Sequence, residues 1–393
     1  MKKILISSFD MEVGGVERSL ISMLNNFDYS NYQVDLLLYS HTGDFLGLLP
    51  EQVNLLPENK VYKTFRMSVK DTIKSGQLTI AIARMRAKYK ANKSNSAESG
   101  IKQMQYMWKY ALPFLPEVEA EYDVAISYLW PHDFTAKKVK AKTKIAWIHT
   151  DFSNVETDQA ADLEIWKSYQ HIIAVSDDCK KAFLSKYPSL SAKTKVIENI
   201  TSPQFVMLQS EEKTENPMTT DTRFKIVTVA RLSHAKGIDN AVEALKKIKD
   251  SGYNNIAWYV VGYGGDEKRI KQLIKQYGLE DQFYLLGKKI NPYPFIKEAD
   301  LYVQPSRYEG KAVTVSEAQI LSKPVLITNY STAKSQLETG VNGLICELSV
   351  DGITKEIIKI YNTPSIRDGL SSNCKNINFN NSNELIKLYS LIT

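Results

Sequence analysis

The sequence predicts an α/β protein of two Rossmann-like, doubly wound domains facing each other across a cleft. Short, continuously apolar runs alternate with amphipathic stretches from end to end. That is the pattern of parallel strands buried on both faces, with crossover helices between them. The alternation breaks once, in a polar, Pro-containing stretch at 201–223, and then restarts. The 393 residues also exceed one core, since single cores stop growing at roughly 250–300 residues.

In the first block, Lys3–Ser8 reads as a strand. Glu17–Phe27 follows as a helix, with Leu20, Met23, Leu24 and Phe27 on one face. Val34–Tyr39, Val124–Tyr128, Ile145–His149 and Ile172–Val175 are further strands. The second block opens with strand Lys225–Ala230, helix Asp239–Lys249, strand Ala257–Val261 and helix Glu267–Tyr277, closed by Gly278. Strand Phe283–Leu286, helix Tyr293–Glu298, strand Leu301–Gln304, helix Val313–Leu321 and strand Pro324–Thr328 complete it. The expected boundaries are 1–200 for the first domain, 201–223 for a linker, 224–375 for the second domain and 376–393 for a C-terminal helical segment.

Composition narrows the class. At 43% hydrophobic and 24% charged, the chain is neither disordered nor collagen-like nor a disulfide scaffold. Cys179, Cys346 and Cys374 are odd in number and far apart, so a reducing compartment is expected. Neither they nor the five histidines show metal-ligand spacing. Only six uncharged residues separate Lys3 from Asp10, too few for a secretion signal, and no apolar run reaches the ~18 residues of a membrane span. A cytoplasmic protein is expected.

Ligands of doubly wound sheets bind at the carboxyl ends of strands, which directs attention to the loops that follow them. After the first strand comes Gly14-Gly15-Val16-Glu17-Arg18, two glycines opening a helix. They allow close approach of an anion to the backbone, or simply a flexible loop. G-x-G-x-x-G spacing is absent and the second strand ends in Tyr39-Ser40-His41, so a nicotinamide dinucleotide site is not expected. His149, at the end of a strand, suits either a sugar hydroxyl or a structural bond to backbone. Arg231 and Lys236, five residues apart after the first strand of the second domain, make a clamp for a diphosphate or a solvated basic loop. Gly262-Tyr263-Gly264-Gly265 admits a nucleotide close to backbone, although glycine turns after strands are common. Glu309, Gly310, Lys311 and Ala312 end a loop before a helix that carries Glu317. The first amides of that helix lack intrahelical partners. The two glutamates can grip two parts of one ligand, or be a surface pair.

Taken together and in this order, Gly-Gly-Val-Glu, the His-bearing strand end, Arg-x4-Lys-Gly and Glu-x7-Glu resemble the family 4 retaining glycosyltransferases. Ile173-Ala174-Val175-Ser176 and Lys195-Val196-Ile197-Glu198-Asn199 look like that family's segments as well. Tyr308-Glu309-Gly310-Lys311 and the stretch Thr328–Lys334 look most like members that build bacterial surface polysaccharides. Asn199-Ile200 departs from the family's usual Asn-Gly.

The resemblance implies the GT-B fold, with the acceptor on the N-terminal domain and a nucleotide-sugar on the C-terminal one. Its last helix, here Ser382–Thr393, would cross back to the N-terminal domain. Residue by residue, it implies that Arg231 and Lys236 neutralise the departing diphosphate and that Glu317 grips the ribose hydroxyls. Glu309 and the amides of Gly310, Lys311 and Ala312 would position the donor sugar, a hexose. His149 would contact a sugar hydroxyl near the anomeric carbon, Gly15 would let the backbone approach the diphosphate, and Gly262 would lie beside the donor. Retention in this family is explained by same-face attack, with the leaving phosphate taking the acceptor's proton. No two aspartates lie two residues apart, so the metal-binding D-x-D of the other major glycosyltransferase fold is missing. The expectation is a metal-independent enzyme without cofactor, with a UDP-sugar favoured as substrate. A sugar-nucleotide epimerase of the same fold and a non-catalytic sugar-binding subunit are the rivals.

The net charge of +6 is uneven. Residues 60–110 hold twelve Lys/Arg against Asp71 and Glu98, a net +10, while the rest of the chain is at −4. Within it, Thr79–Lys90 sets Ile82, Met85 and Tyr89 at helical spacing among Arg84, Arg86, Lys88 and Lys90. Such a helix either lies on an anionic membrane or packs its apolar stripe on its own domain. Without a stacking platform a nucleic-acid role is not expected. Because the family often acts on lipid-linked acceptors, the favoured reading is a cytoplasmic protein, peripheral on the inner face of the membrane, with a lipid-linked glycan acceptor.

Overall fold

The computed structural model describes residues 1–92 and 99–392. Lys93 and Glu98 of the basic segment and Thr393 of the last helix lie outside the described residues. The chain forms two compact units. The first is Met1–Glu12, Val16–Asn199 and Asn383–Thr393; the second is Val13–Gly15 and Ile200–Ser382.

The first unit is built on seven strands: β1 (Lys2–Ser8), β2 (Tyr32–Leu38), β3 (Asn54–Leu55), β4 (Glu121–Ser127), β5 (Lys140–Ile148), β6 (His171–Ala174) and β7 (Thr194–Val196). They form one sheet in the order β3-β2-β1-β4-β5-β6-β7, and every pairing is parallel. The apolar runs read as strands are the central ones. Ile4, Leu5, Ile6, Val124, Ala125 and Ile126 are wholly or almost wholly buried, as burial on both faces requires. Helix α1 (Gly15–Asn25) starts two residues earlier than expected, so Gly15 is its first residue. The C-terminal helix Glu384–Ile392 packs in this unit. There the Tyr389 ring stacks on Tyr32 at 5.0 Å, and its hydroxyl accepts from the Asp28 amide at 2.8 Å.

Between β3 and β4 lies a helical insertion: α2 (Lys60–Lys63), α3 (Val69–Lys74), α4 (Leu78–Asn92) and α5 (Ser99–Ala111). Phe65 stacks on Trp108 at 4.0 Å and roots it in the core. The alternative in which α4 packs the stripe of Ile82, Met85 and Tyr89 on its own domain does not hold. Ile80, Ala81, Ala83, Ala87 and Ala91 are buried, whereas Leu78, Ile82, Met85 and Tyr89 are exposed. Arg84 is corrected too. Its guanidinium turns inward, donating to the Thr64 and Met67 carbonyls and to Thr72 Oγ1 at 2.7–3.0 Å. Those bonds satisfy carbonyls at the ends of short helices and make Arg84 a structural clamp rather than a surface contact.

The second unit carries β8 (Phe224–Val229), β9 (Ile256–Val261), β10 (Phe283–Gly287), β11 (Leu301–Gln304), β12 (Val325–Thr328) and β13 (Leu344–Cys346). Its sheet order is β10-β9-β8-β11-β12-β13, again parallel throughout. Alternate residues feed two layers, as the two-residue strand period dictates. Ile226 and Trp258 join Val242, Leu245 and Ile357 on one face. Val227 and Tyr259 join Phe295, Val315 and Ile327 on the other. Each such side chain contributes roughly 1.5–3 kcal/mol when fully buried. Residues 201–223, expected as a linker, are folded into this unit. Ser202 caps the helix Pro203–Ser210, and Val206 and Met218 are buried in the core.

Candidate functional site

The order of the second sheet reverses direction between β8 and β11, which pair through Leu301 with Ile226 and Tyr302 with Val227. The two following loops diverge from neighbouring strand ends, which leaves a crevice at the carboxyl edge. The loop after β8 carries Arg231 and Lys236, and the loop after β11 carries Glu309. Seventy-odd residues apart in sequence, the two cations and the carboxylate share one switch point.

Backbone geometry then brings Lys236 to Glu309. Gly237, with φ +62°, ends the short helical turn His234–Lys236 and caps the helix Ile238–Asp250. A Cβ there would sit 2.1 Å from the Pro305 carbonyl oxygen. Only glycine permits this conformation and approach together. Across the same seam the Arg307 amide donates to the Ala235 carbonyl at 2.8 Å. The Arg307 guanidinium binds Asp239 through both nitrogens at 2.8 and 2.9 Å, and the His234 carbonyl at 2.8 Å. Arg269 shares the Asp239 carboxylate at 2.9 Å. Together Arg307 and Arg269 hold that carboxyl below its ordinary pKa against the opposing effect of burial.

Lys236 Nζ donates to both oxygens of Glu309, at 2.6 and 2.5 Å. The Oε1 atom also accepts from Ser306 Oγ at 2.6 Å and from Gln304 Nε2 at 3.1 Å. Gln304 is held in turn by the Tyr302 hydroxyl, which donates to its Oε1 at 2.6 Å. Thr332 Oγ1 donates to the Glu309 carbonyl at 3.0 Å. Glu309 is thus a buried carboxylate with a fixed orientation and a half-exposed cation beside it. Arg231 stands exposed five residues before that cation.

Glu317 lies on the helix Val313–Ile320 and is buried, and the Tyr293 hydroxyl donates to its Oε1 at 2.8 Å. The Ala312 amide donates to Gln336 Oε1 at 2.7 Å. That amide, expected to face a donor sugar, is therefore bound within the protein. Gly310 is buried and Lys311 half-buried beside it. Gly262 has a packing reason of its own. A Cβ there would lie 1.8 Å from the Ala230 carbonyl oxygen, because the loops after β8 and β9 are joined by backbone hydrogen bonds. Gly15 has none: an added Cβ meets no atom within 4 Å.

In the first unit, His149 follows β5 directly. Its ring packs 4.6 Å from the Tyr128 ring and is bonded to Tyr128 backbone. Burial pushes its pKa down to about 3, so the imidazole is neutral at ordinary pH. The ring is thus bonded to backbone on one side, as the structural reading expects, and its other nitrogen, Nε2, is buried without a partner among the described residues. Nearby on the chain, His132 is pushed to about 3 and Asp133 up to about 7, both mainly by burial.

Sequence reasoning missed Gln304, Ser306, Thr332 and Tyr293. Gln304 gave a faint signal as the single polar residue closing an apolar strand. The others hold their carboxylates through tertiary contacts that leave no local pattern. Among the described residues, no group of three or more His, Cys, Asp and Glu is placed to hold a metal ion.

Residues 209–377 match the family model described as glycosyl transferases group 1. An uncharacterized glycosyltransferase of Methanocaldococcus jannaschii, MJ1059, is 29% identical over 42% of this chain and 41% of its own length. The putative colanic acid biosynthesis glycosyltransferase WcaL of Escherichia coli is 32% identical over 31% of this chain and 32% of its own. The chain thus matches less than half the length of either relative. Over whole chains the fold is that of Anabaena Alr3699/HepE, solved in complex with UDP and glucose. The TM-score is 0.70 at 18% identity, covering 100% of this chain and 99% of that one. Residues 209–377 are thus similar to the group 1 glycosyltransferases, and the chain as a whole shares the GT-B fold of its solved neighbour.

Proposed function

We propose that the protein is a retaining hexosyltransferase. It moves a sugar from a nucleotide-sugar, UDP-linked by preference, to a lipid-linked or polysaccharide acceptor in cell-surface polysaccharide biosynthesis. The observation that carries the reading is the Lys236–Glu309 contact at the switch point of the second sheet. A donor diphosphate supplies a stronger anion for Lys236 than Glu309 does. Binding would draw the ammonium onto the phosphates and free the carboxylate to face the sugar.

In the reaction, the bond between the anomeric carbon and the diphosphate oxygen breaks, and the electron pair leaves with the nucleoside diphosphate. Lys236 and Arg231 offset the charge that develops there, and the oriented Glu309 offsets the oxocarbenium-like sugar. The acceptor hydroxyl attacks from the same face and gives its proton to the departing phosphate. Glu317, held by Tyr293, takes the ribose hydroxyls. The first unit takes the acceptor, with neutral His149 hydrogen-bonding a sugar hydroxyl. No metal or cofactor is assigned, since the basic loop supplies the charge. HepE's complex with UDP and glucose supports the choice of donor, and likeness to WcaL supports a polysaccharide role. The acceptor is placed at the inner, anionic face of the membrane. No described helix is long and apolar enough to cross it.

A panel of UDP- and GDP-sugars, with nucleotide release measured with and without a lipid extract and with EDTA, tests the proposal. Slow hydrolysis that Glu309→Ala abolishes is the expected result. Interconversion of donor sugars without release would make the protein an epimerase. Binding without turnover in every condition would make it a silent sugar-binding subunit.

A further inference from the structure

Helix α4 carries apolar side chains on its outer face as well as on its packed one, with cations between the two, which a helix that meets only water does not need. Its packed face is made of Ile80, Ala83, Ala87 and Ala91. Its outer face shows Leu78, Ile82, Met85 and Tyr89, which are 57%, 59%, 49% and 65% exposed. At ~100° per residue the four fall within about 60° of arc, a stripe roughly 16 Å long. Ile73 of α3, also 43% exposed, adds to the exposed apolar surface of the insertion. A soluble surface scatters single apolar residues; a contiguous stripe marks a contact.

We propose that the outer face of α3–α4 is a docking surface for an anionic phospholipid membrane, with the stripe inserted among the acyl chains at the headgroup boundary. This rests on the reading that the acceptor is held at a membrane, and it names the part of the chain that meets the lipid.

Charge decides the occupant. Arg86 and Lys88 project about 80° to either side of the stripe, so both cations reach the headgroup level when the stripe inserts. Arg86 lies over the Tyr110 ring at 4.9 Å, and Lys90 over the Tyr106 ring at 4.5 Å. Both cations are thereby kept beside α4 and away from the core. Within 60–110 the described residues hold eleven Lys/Arg against Asp71 alone. A second copy of the chain would bring like charge against like charge on the same face. Nucleic acid would want exposed planar rings, and the stripe has only Tyr89. An anionic bilayer satisfies both the apolar stripe and the flanking cations. The alanine face explains how the helix can turn its large side chains outward. Small residues let α4 lie close on α5, where Ala87 and Ala91 meet Tyr106, so the fold is secured without the stripe.

Co-sedimentation of the full-length protein with lipid vesicles tests this. The wild type should pellet with vesicles containing phosphatidylglycerol and stay in solution with phosphatidylcholine alone. Binding should weaken as added salt shortens the Debye length from ~10 Å at 0.1 M to ~3 Å at 1 M. Arg86→Gln/Lys88→Gln should lower partitioning about thirtyfold, two cations at about 1 kcal/mol each. Leu78→Ser/Ile82→Ser/Met85→Ser should abolish pelleting, with an unchanged melting temperature as the folding control. The proposal is overturned by a wild type that ignores phosphatidylglycerol vesicles at low salt, or by a stripe variant that still pellets. It is also overturned by a lipid-free dimer in sedimentation velocity that the stripe variant dissolves. Nucleotide release by the wild type, with and without a lipid extract, is read separately. Its absence in every condition with vesicle binding intact would sink the transferase and leave the surface standing.

Discussion

Replacing Lys236 by Met tests the tightest charge contact of the site. Lys236 Nζ lies 2.5–2.6 Å from the Glu309 oxygens, with the lysine side chain 25% exposed and the carboxylate 7%. For charges ~4 Å apart the attraction is about 1 kcal/mol in water and about 4 kcal/mol at an effective dielectric near 20. A pair open to solvent on one side falls between these. Met leaves Glu309 buried but still bonded to Ser306 and Gln304, so the loss should be about 2 kcal/mol, less than the 3–5 kcal/mol of a fully stranded charge. In a domain of this size that is a fall of about 4–8 °C in melting temperature. Lys236→Met/Glu309→Gln should regain most of the stability, since no charge is then left unpaired. It should not regain activity, because the cation facing the leaving group is still missing; kcat/KM should stay down by about a hundredfold or more. Thermal melts and nucleotide release on the wild type and three variants complete the cycle. If Lys236→Met melts with the wild type, or the double variant is no more stable than the single, the pair does not form in solution and the argument fails.

Three other perturbations follow from the same geometry. Tyr293→Phe removes the hydroxyl that donates to Glu317 at 2.8 Å. At about 1.5 kcal/mol for a bond to a charged group, donor KM should rise about tenfold with kcat little changed, and a kcat effect alone would contradict the positioning role. Gly237→Ala combines φ +62° with a 2.1 Å approach to the Pro305 carbonyl. It should cost about 2–3 kcal/mol or more in chemical denaturation, whereas Gly15→Ala, with no atom within 4 Å of the new carbon, should melt like the wild type. Buried His132 titrates at about 3 instead of 6.5. Its neutral form is the folded one, so the stability it contributes is whole above pH 6.5 and is lost as pH falls from 6.5 toward 3. The slope is about 1.4 kcal/mol per pH unit for each such group. His132→Gln should flatten the stability profile in that window, and an unchanged profile would show that the imidazole is not desolvated.

The sequence by itself determined the two parallel sheets. A strand buried on both faces must be apolar along its whole length, and Lys3–Ser8, Ala257–Val261 and Leu301–Gln304 announce themselves that way. It also determined which loops carry the candidate residues, because Arg231, Lys236, Glu309 and His149 each follow a strand. Short edge strands such as Asn54–Leu55 and Leu344–Cys346 carry too few residues for a pattern. Tertiary structure alone decided that Lys236 meets Glu309, since the meeting depends on Gly237 against Pro305 and on Arg307 across the seam. It decided that residues 201–223 fold into the second unit, through the buried apolar side chains of Val206 and Met218 in a largely polar stretch. Above all it decided the orientation of α4. Periodicity shows that a helix has an apolar side, but not which side the neighbouring helix covers. Here α5 takes the alanines, leaving Leu78, Ile82, Met85 and Tyr89 outside and drawing Arg84 in to bind backbone carbonyls.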